Sequence, residues 1–146
     1  MINTVIFDLD GTLMNTLDDI AYAMNRALRL HNLPEYPVDA YRLMVGNGAR
    51  KLAERAVAGH DDLLLGVLQD YQSWYETHNM VQTCPYPGVP EMLDELAKDG
   101  LQLSVLSNKP NADTLRVMTE AFPQVDWALV RGQLPGVPLK PHPAAV

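Results

Sequence analysis

The sequence predicts an α/β protein, an open parallel sheet interrupted early by an inserted all-helical domain. Three observations carry that expectation. A short, wholly apolar run at residues 4–7 ends in a polar turn containing glycine. Residues 15–82 then show helical periodicity with no good strand among them. From residue 84 onward helix and strand alternate, as a parallel sheet with crossover connections requires. An insertion of that size is far longer than an ordinary βα loop, so it counts as a domain of its own. The expected division is 1–14 and 83–146 for the α/β core and 15–82 for the helical insertion.

The elements follow in order. Thr4-Val5-Ile6-Phe7 is continuous rather than alternating, which reads as a strand covered on both faces. It runs into Asp8-Leu9-Asp10-Gly11-Thr12. Leu17, Ile20, Ala21, Met24, Ala27 and Leu28 then recur at helical spacing, with Asp18, Asp19, Asn25, Arg26 and Arg29 falling between them. Thr16 is the expected N-cap, with Asp18 and Asp19 in the first turn where the helix dipole favours negative charge. The helix should stop near His31-Asn32, before Pro34. A short helical piece at 38–44, a break at Gly46-Asn47-Gly48, a helix at 49–58 and another from Asp61-Asp62 complete the insertion, the last carrying Leu64, Leu68, Tyr71 and Tyr75 on one face.

Pro85, Pro87, Gly88 and Pro90 read as a linker that starts a helix, with proline in its first turn and Gly100 past its end. Met92, Leu93, Leu96 and Ala97 would be its inner face. Leu101 to Leu106 reads as a strand stopped by Ser107-Asn108-Lys109-Pro110. A helix bearing Leu115, Met118 and Phe122 follows, then a strand over 125–130, then a proline-rich loop.

Composition narrows the function. With 11 Lys+Arg against 18 Asp+Glu the chain is acidic, and Arg50-Lys51 is its one adjacent basic pair. That argues against nucleic acid, whose phosphates are bound by clustered cations. No apolar stretch approaches the roughly 18–20 residues of a membrane span. The N-terminus lacks the basic and apolar regions of a secretory signal, and the lone Cys84, expected half-buried, cannot form an internal disulfide; together these point to a cytoplasmic setting. His31, His60, His78 and His142 show no metal-ligand spacing with one another or with Cys84, which speaks against zinc.

Ligands of open parallel sheets bind outside the carboxyl ends of the strands. Those ends carry Asp8, Asp10 and Thr12, then Ser107, Asn108 and Lys109, and after the last strand and its loop Lys140. Two acids, hydroxyl and amide groups and a lysine suit magnesium-assisted attack on a phosphate. An aspartate nucleophile divides a very slow hydrolysis into two easier steps. A second carboxylate moves the protons, and cations balance charge on the phosphoryl oxygens. Lys109 is the weaker candidate, by default a solvent-facing side chain.

Asp8-Leu9-Asp10-Gly11-Thr12-Leu13 after an apolar strand resembles the first signature of the haloacid dehalogenase superfamily of phosphatases. Ser107-Asn108-Lys109 resembles the second, Lys140-Pro141-His142-Pro143 the third, and the insertion sits where that family has a helical cap. Val45-Gly46-Asn47-Gly48-Ala49 is similar to a segment typical of its phosphoglycolate phosphatases. The resemblance spans essentially the whole chain and implies a Rossmann-like core with an inserted helical cap. It implies Asp8 as nucleophile and Asp10 as general acid/base, with the Asp8 carboxylate and the Asp10 main-chain carbonyl on Mg²⁺. Thr12, Ser107, Asn108 and Lys140 would hold the phosphate, and Gly48 and Arg50 would face a small phosphorylated metabolite from the cap, 2-phosphoglycolate being the leading candidate.

Two departures stand out. Asn15 stands where the family usually has an acid. The family pattern also continues beyond its lysine motif into a strand ending in two further acids, whereas this sequence ends at Val146. The expectation is therefore a partial version of a longer protein, with its first strand left as an open edge. Two alternatives stay open: a catalytically incomplete fragment that binds phosphate without turnover, and a pyrophosphatase or phosphosugar mutase of the same superfamily. The oligomeric state is not legible.

Overall fold

In the computed structural model, which describes residues 2–145, the chain forms two compact units, Met1–Asn15 with Cys84–Val146, and Thr16–Thr83. In chain order the elements are β1 (Thr4–Phe7), β2 (Met14–Asn15), α1 (Leu17–Leu30), α2 (Gly48–Val57), α3 (Leu64–His78), β3 (Cys84–Pro85), α4 (Val89–Lys98), β4 (Gln102–Pro110), α5 (Asn111–Ala121) and β5 (Trp127–Gln133). Short 3-10 turns lie at Val38–Leu43, Asp61–Leu63 and Pro143–Ala145.

The first unit is α/β. Its sheet is parallel with order β1-β4-β5, so β4 is central and β1 and β5 are edges. β4 is buried from Leu103 to Lys109, as a strand with neighbours on both sides should be. β1 departs from expectation: Thr4 and Ile6 are exposed, Ile6 by 54%, because the unit's helices lean on β4 and β5 instead. The other surprise is length. β4 does not stop at Leu106 but runs through Ser107-Asn108-Lys109 to Pro110, so these polar residues belong to the strand itself.

The helices differ from the sequence reading in which residues face inward. In α4 Val89 and Leu93 are buried, while Met92 and Ala97 are exposed. In α5 Leu115 is exposed, and Thr114, Val117 and Met118 form the inner face. Thr114 tolerates complete burial because its hydroxyl donates to the carbonyl of Pro110 at 3.0 Å. The stretch read as a plain linker contributes β3, which pairs antiparallel with β2 (Met14 with Pro85, Asn15 with Cys84). Two-residue strands show no periodicity that a sequence could reveal. Cys84 is exposed there, not half-buried.

The second unit is all-helical. Its core joins Ile20, Met24 and Leu28 of α1 to Leu52, Ala56 and Val57 of α2 and to Val67, Tyr71 and Tyr75 of α3. Thr16 occupies the N-cap position of α1 without a side-chain capping bond. Two polar residues of α1 point inward and are satisfied there. Asp19 is buried, accepting from the N–H groups of Gln82 and Thr83 and from the Thr83 hydroxyl at 2.8–3.0 Å. Asn25 Oδ1 accepts from Tyr36 N–H (3.0 Å) and the Tyr41 hydroxyl (2.6 Å), and Asn25 Nδ2 donates to Tyr36 O (2.8 Å). Burial, with Tyr36 nearby, pushes the Tyr41 phenol above its ordinary range, so it acts as a fixed neutral donor.

Candidate active site

The site begins where β1 runs out. Leu9 is fully buried, and its carbonyl accepts from the N–H groups of Thr12, Leu13 and Met14 at 3.1–3.2 Å. Gly11 closes this turn at φ +76°, a left-handed conformation that glycine adopts without a Cβ penalty, and its N–H donates to Met14 O at 2.9 Å. Leu13 and Met14 are buried below it. The apolar residues thus anchor the turn, with Asp8 and Asp10 on either side of Leu9.

The end of β4 and the segment after β5 supply the groups that meet these acids. Lys140 Nζ donates to Asp8 Oδ1 at 2.9 Å and to Leu106 O at 2.6 Å. The segment carrying Lys140 is held by Asn108: Lys140 N–H donates to Asn108 Oδ1 at 2.8 Å, and Asn108 Nδ2 returns a bond to Lys140 O at 3.2 Å. Lys109 Nζ lies 2.9 Å from Asp10 Oδ1. Ser107 is buried, its Oγ accepting from Lys109 N–H at 3.1 Å.

Two lysine–aspartate pairs result, and their surroundings differ. The Asp8 and Lys140 side chains are 47% and 28% exposed, whereas those of Asp10 and Lys109 are 13% and 3% exposed. The first pair is open to a ligand; the second is enclosed. Lys109, read from the sequence as solvent-facing, is thereby corrected. It lies inside a strand that continues past the apolar run, where a side chain is covered on either face. Nothing in the composition of Ser107-Asn108-Lys109-Pro110 signals that continuation.

Glycine at 132 is the other residue the sequence reading missed. A Cβ there would stand 2.5 Å from Thr114 Oγ1, 2.6 Å from Lys109 O and 2.7 Å from Asn111 Cα. Gly132 N–H also donates to Asn111 Oδ1 at 2.8 Å. An isolated glycine inside a strand marks close backbone approach, but the strand expected over 125–130 lies at Trp127–Gln133, so the sequence reading left Gly132 outside it. Gly132→Ala is expected to destabilise the α/β unit by about 1–3 kcal/mol, because two of the three clashing atoms are backbone. Chemical denaturation of the variant measures this, and an unchanged midpoint would contradict the packing account.

The remaining expected residues lie as follows. Thr12 is exposed in the Leu9–Met14 turn. Gly48 and Arg50 belong to the helical unit, at the start of α2. Arg50 Nε lies 3.3 Å from Glu54 Oε1 on its own helix, and Lys51 together with Arg50 holds the Glu54 carboxyl below its usual range. Among the described residues no group of three or more His, Cys, Asp and Glu could hold a metal ion. The oxygens of Asp8 and Asp10 still fit Mg²⁺, a hard cation that commonly takes one or two carboxylates and completes its shell with water and substrate phosphate. No described helix is long and apolar enough to cross a membrane.

An exposed carboxylate beside an ammonium, with a second carboxylate two residues on, defines a class of site at the strand ends of an α/β sheet: an acid–lysine site suited to attack on phosphorus. The chain belongs to the haloacid dehalogenase-like hydrolase family, whose model matches residues 5–144. It is 36% identical over 126 residues to a phosphoglycolate phosphatase of Nitrosospira multiformis, covering 82% of this chain and 56% of that one. To the phosphoglycolate phosphatase of Caulobacter vibrioides it is 40% identical over 111 residues, covering 73% and 47%. Among solved structures, one described as a predicted phosphoglycolate phosphatase from Haemophilus somnus superposes with TM-score 0.88 at 31% identity, covering 98% of this chain and 68% of that one. The chain spans about half the length of those two curated relatives.

Proposed function

We propose that this chain carries the chemistry of a Mg²⁺-dependent phosphatase acting on a small phosphomonoester, with 2-phosphoglycolate the leading substrate. The observation that carries the reading is Asp8, half exposed at a strand end with the Lys140 ammonium 2.9 Å from its Oδ1. An Asp8 oxygen attacks phosphorus, and the P–O bond to the leaving alcohol breaks. The leaving oxygen takes a proton from Asp10. Water then attacks the aspartyl phosphate while Asp10 removes its proton, which releases inorganic phosphate, frees the Asp8 carboxylate and returns Asp10 to the protonated form in which it began. Lys140 balances charge on Asp8 and on the phosphoryl oxygens throughout, a need made acute by a net charge of −7.

Ser107, Asn108 and Thr12 belong to the phosphate end of the site in this reading, Asn108 chiefly by fixing the Lys140 segment. The Asp8 carboxylate and Asp10 carbonyl would hold Mg²⁺, which supplies neutralisation and orientation of the phosphate when bound. The helical unit serves as the cap in this reading, with Gly48 and Arg50 at the start of α2 as its candidate substrate residues. A cytoplasmic location and a small-metabolite partner, without nucleic acid, belong to the same proposal. The relatives named phosphoglycolate phosphatase support the choice of substrate.

One observation favours a second reading. Asp8 and Asp10 each already engage a lysine and no third acid joins them among the described residues, which suits a form that binds phosphate without turning it over. Phosphate release from 2-phosphoglycolate, inorganic pyrophosphate and a hexose 1-phosphate, each with Mg²⁺ and with excess chelator, decides. Metal-dependent release from 2-phosphoglycolate above the other two is expected. Saturable phosphate binding with no release from any of them would favour the second reading.

A further inference from the structure

Lys109 has no part in the proposed mechanism, yet it is a strongly constrained side chain of the α/β unit. Its side chain is 3% exposed and its ammonium lies 2.9 Å from Asp10 Oδ1. Its N–H donates to Ser107 Oγ, and its carbonyl accepts from the Thr114 hydroxyl at 3.3 Å. Gly132 leaves room for that carbonyl, since a Cβ would come within 2.6 Å of it. Three elements, β4, α5 and β5, therefore fix the position of one lysine. A lysine is seldom buried so completely unless it is paired.

We propose that Lys109 is a positioning residue for Asp10. The ammonium holds the second carboxylate in one place at the rim of the Leu9–Met14 turn, while Lys140 is left to the reacting phosphate. The two lysines thus divide the work. Lys140, more exposed, faces the ligand through Asp8, and Lys109, enclosed, acts through Asp10. The inference rests on the reading of Asp10 as the group that moves protons. It follows that Lys109 matters most where the leaving oxygen needs a proton, and little where the leaving group departs unaided. A lysine that merely stabilised the fold would affect both kinds of substrate alike.

The test is Lys109→Met, which keeps length and volume without the charge, with Lys109→Gln as a second variant should the first not fold. For each, kcat/KM is measured with 2-phosphoglycolate and with 4-nitrophenyl phosphate, and a crystal structure records the place of Asp10. Loss of a carboxylate's placement costs on the order of a hundredfold, and that loss is expected with 2-phosphoglycolate. With 4-nitrophenyl phosphate, whose phenolate leaves without protonation, kcat/KM should stay close to that of the unsubstituted chain. The Asp10 side chain should leave its present position in the structure. Equal losses with both substrates, or Asp10 unmoved, would overturn the proposal. A lack of turnover by the unsubstituted chain counts instead against the phosphatase reading, and the place of Asp10 in the variant then decides the role of Lys109.

Discussion

Asp8→Asn is expected to reduce phosphate release by more than about a thousandfold, because an amide oxygen cannot form the aspartyl phosphate and no neighbouring group replaces it. The same change should scarcely alter stability. The Asp8 carboxylate is 47% exposed and its partner Lys140 is 28% exposed, so both can be solvated once the charge is removed. Exposed ion pairs contribute roughly 0–1 kcal/mol. Lys140 also keeps its bond to Leu106 O and, through its backbone, its bonds to Asn108, which hold the segment whatever stands at position 8. Release assays and thermal melts on the same preparation separate the two effects. Substantial activity in the variant would remove Asp8 from the role of nucleophile, and a large fall in melting temperature would show that its pair with Lys140 is structural.

The sequence made the outline of this site legible because the groups lie at strand ends. A four-residue apolar run followed by Asp-Leu-Asp-Gly-Thr announces a strand and a glycine turn, and both are present. β4 and β5 were legible for the same reason, and Lys140 through its place after the last strand. What escaped was whatever depends on neighbours. Ser107-Asn108-Lys109 looks like a turn by residue type, but β5 pairs with β4 as far as Pro110 and the strand continues through them. Leu115 looks like core by periodicity, but Thr114 takes the inner position because two carbonyls at the end of β4 need its hydroxyl. Asp19 and Asn25 look like the polar face of α1, and only the return of the chain past Gln82 and Tyr36 gives them buried partners. β1 is the open edge that the sequence led one to expect, but it is not covered on both faces, since Ile6 is exposed. In each case local pattern gave the element correctly, and long-range pairing decided its limits or its inner face.

Asp10→Asn should behave quite differently from Asp8→Asn. Here the partner is Lys109, with only 3% of its side chain reaching solvent, so neutralising the carboxylate leaves an ammonium enclosed beside an amide. Breaking an enclosed pair from one side costs about 3–5 kcal/mol, and the retained amide acceptor places this change near the lower end. The reverse change, Lys109→Met, should cost less, because Asp10 is 13% exposed and its carboxylate can draw on water. The double variant should be more stable than Asp10→Asn alone, since methionine removes the enclosed charge. Trp127 reports on this unit alone once Trp74 of the helical unit is replaced by Phe, as the chain contains two tryptophans. Denaturation followed by Trp127 fluorescence should rank unsubstituted above Lys109→Met, and Lys109→Met above Asp10→Asn, with the double variant recovering part of the loss. If Asp10→Asn unfolded together with the unsubstituted chain, the enclosed pair would have no energetic weight. Phosphate release would then be the only property on which the two aspartates could be told apart. If the ranking holds, the same two residues that flank Leu9 divide cleanly, with Asp8 dispensable for the fold and Asp10 needed for both fold and reaction.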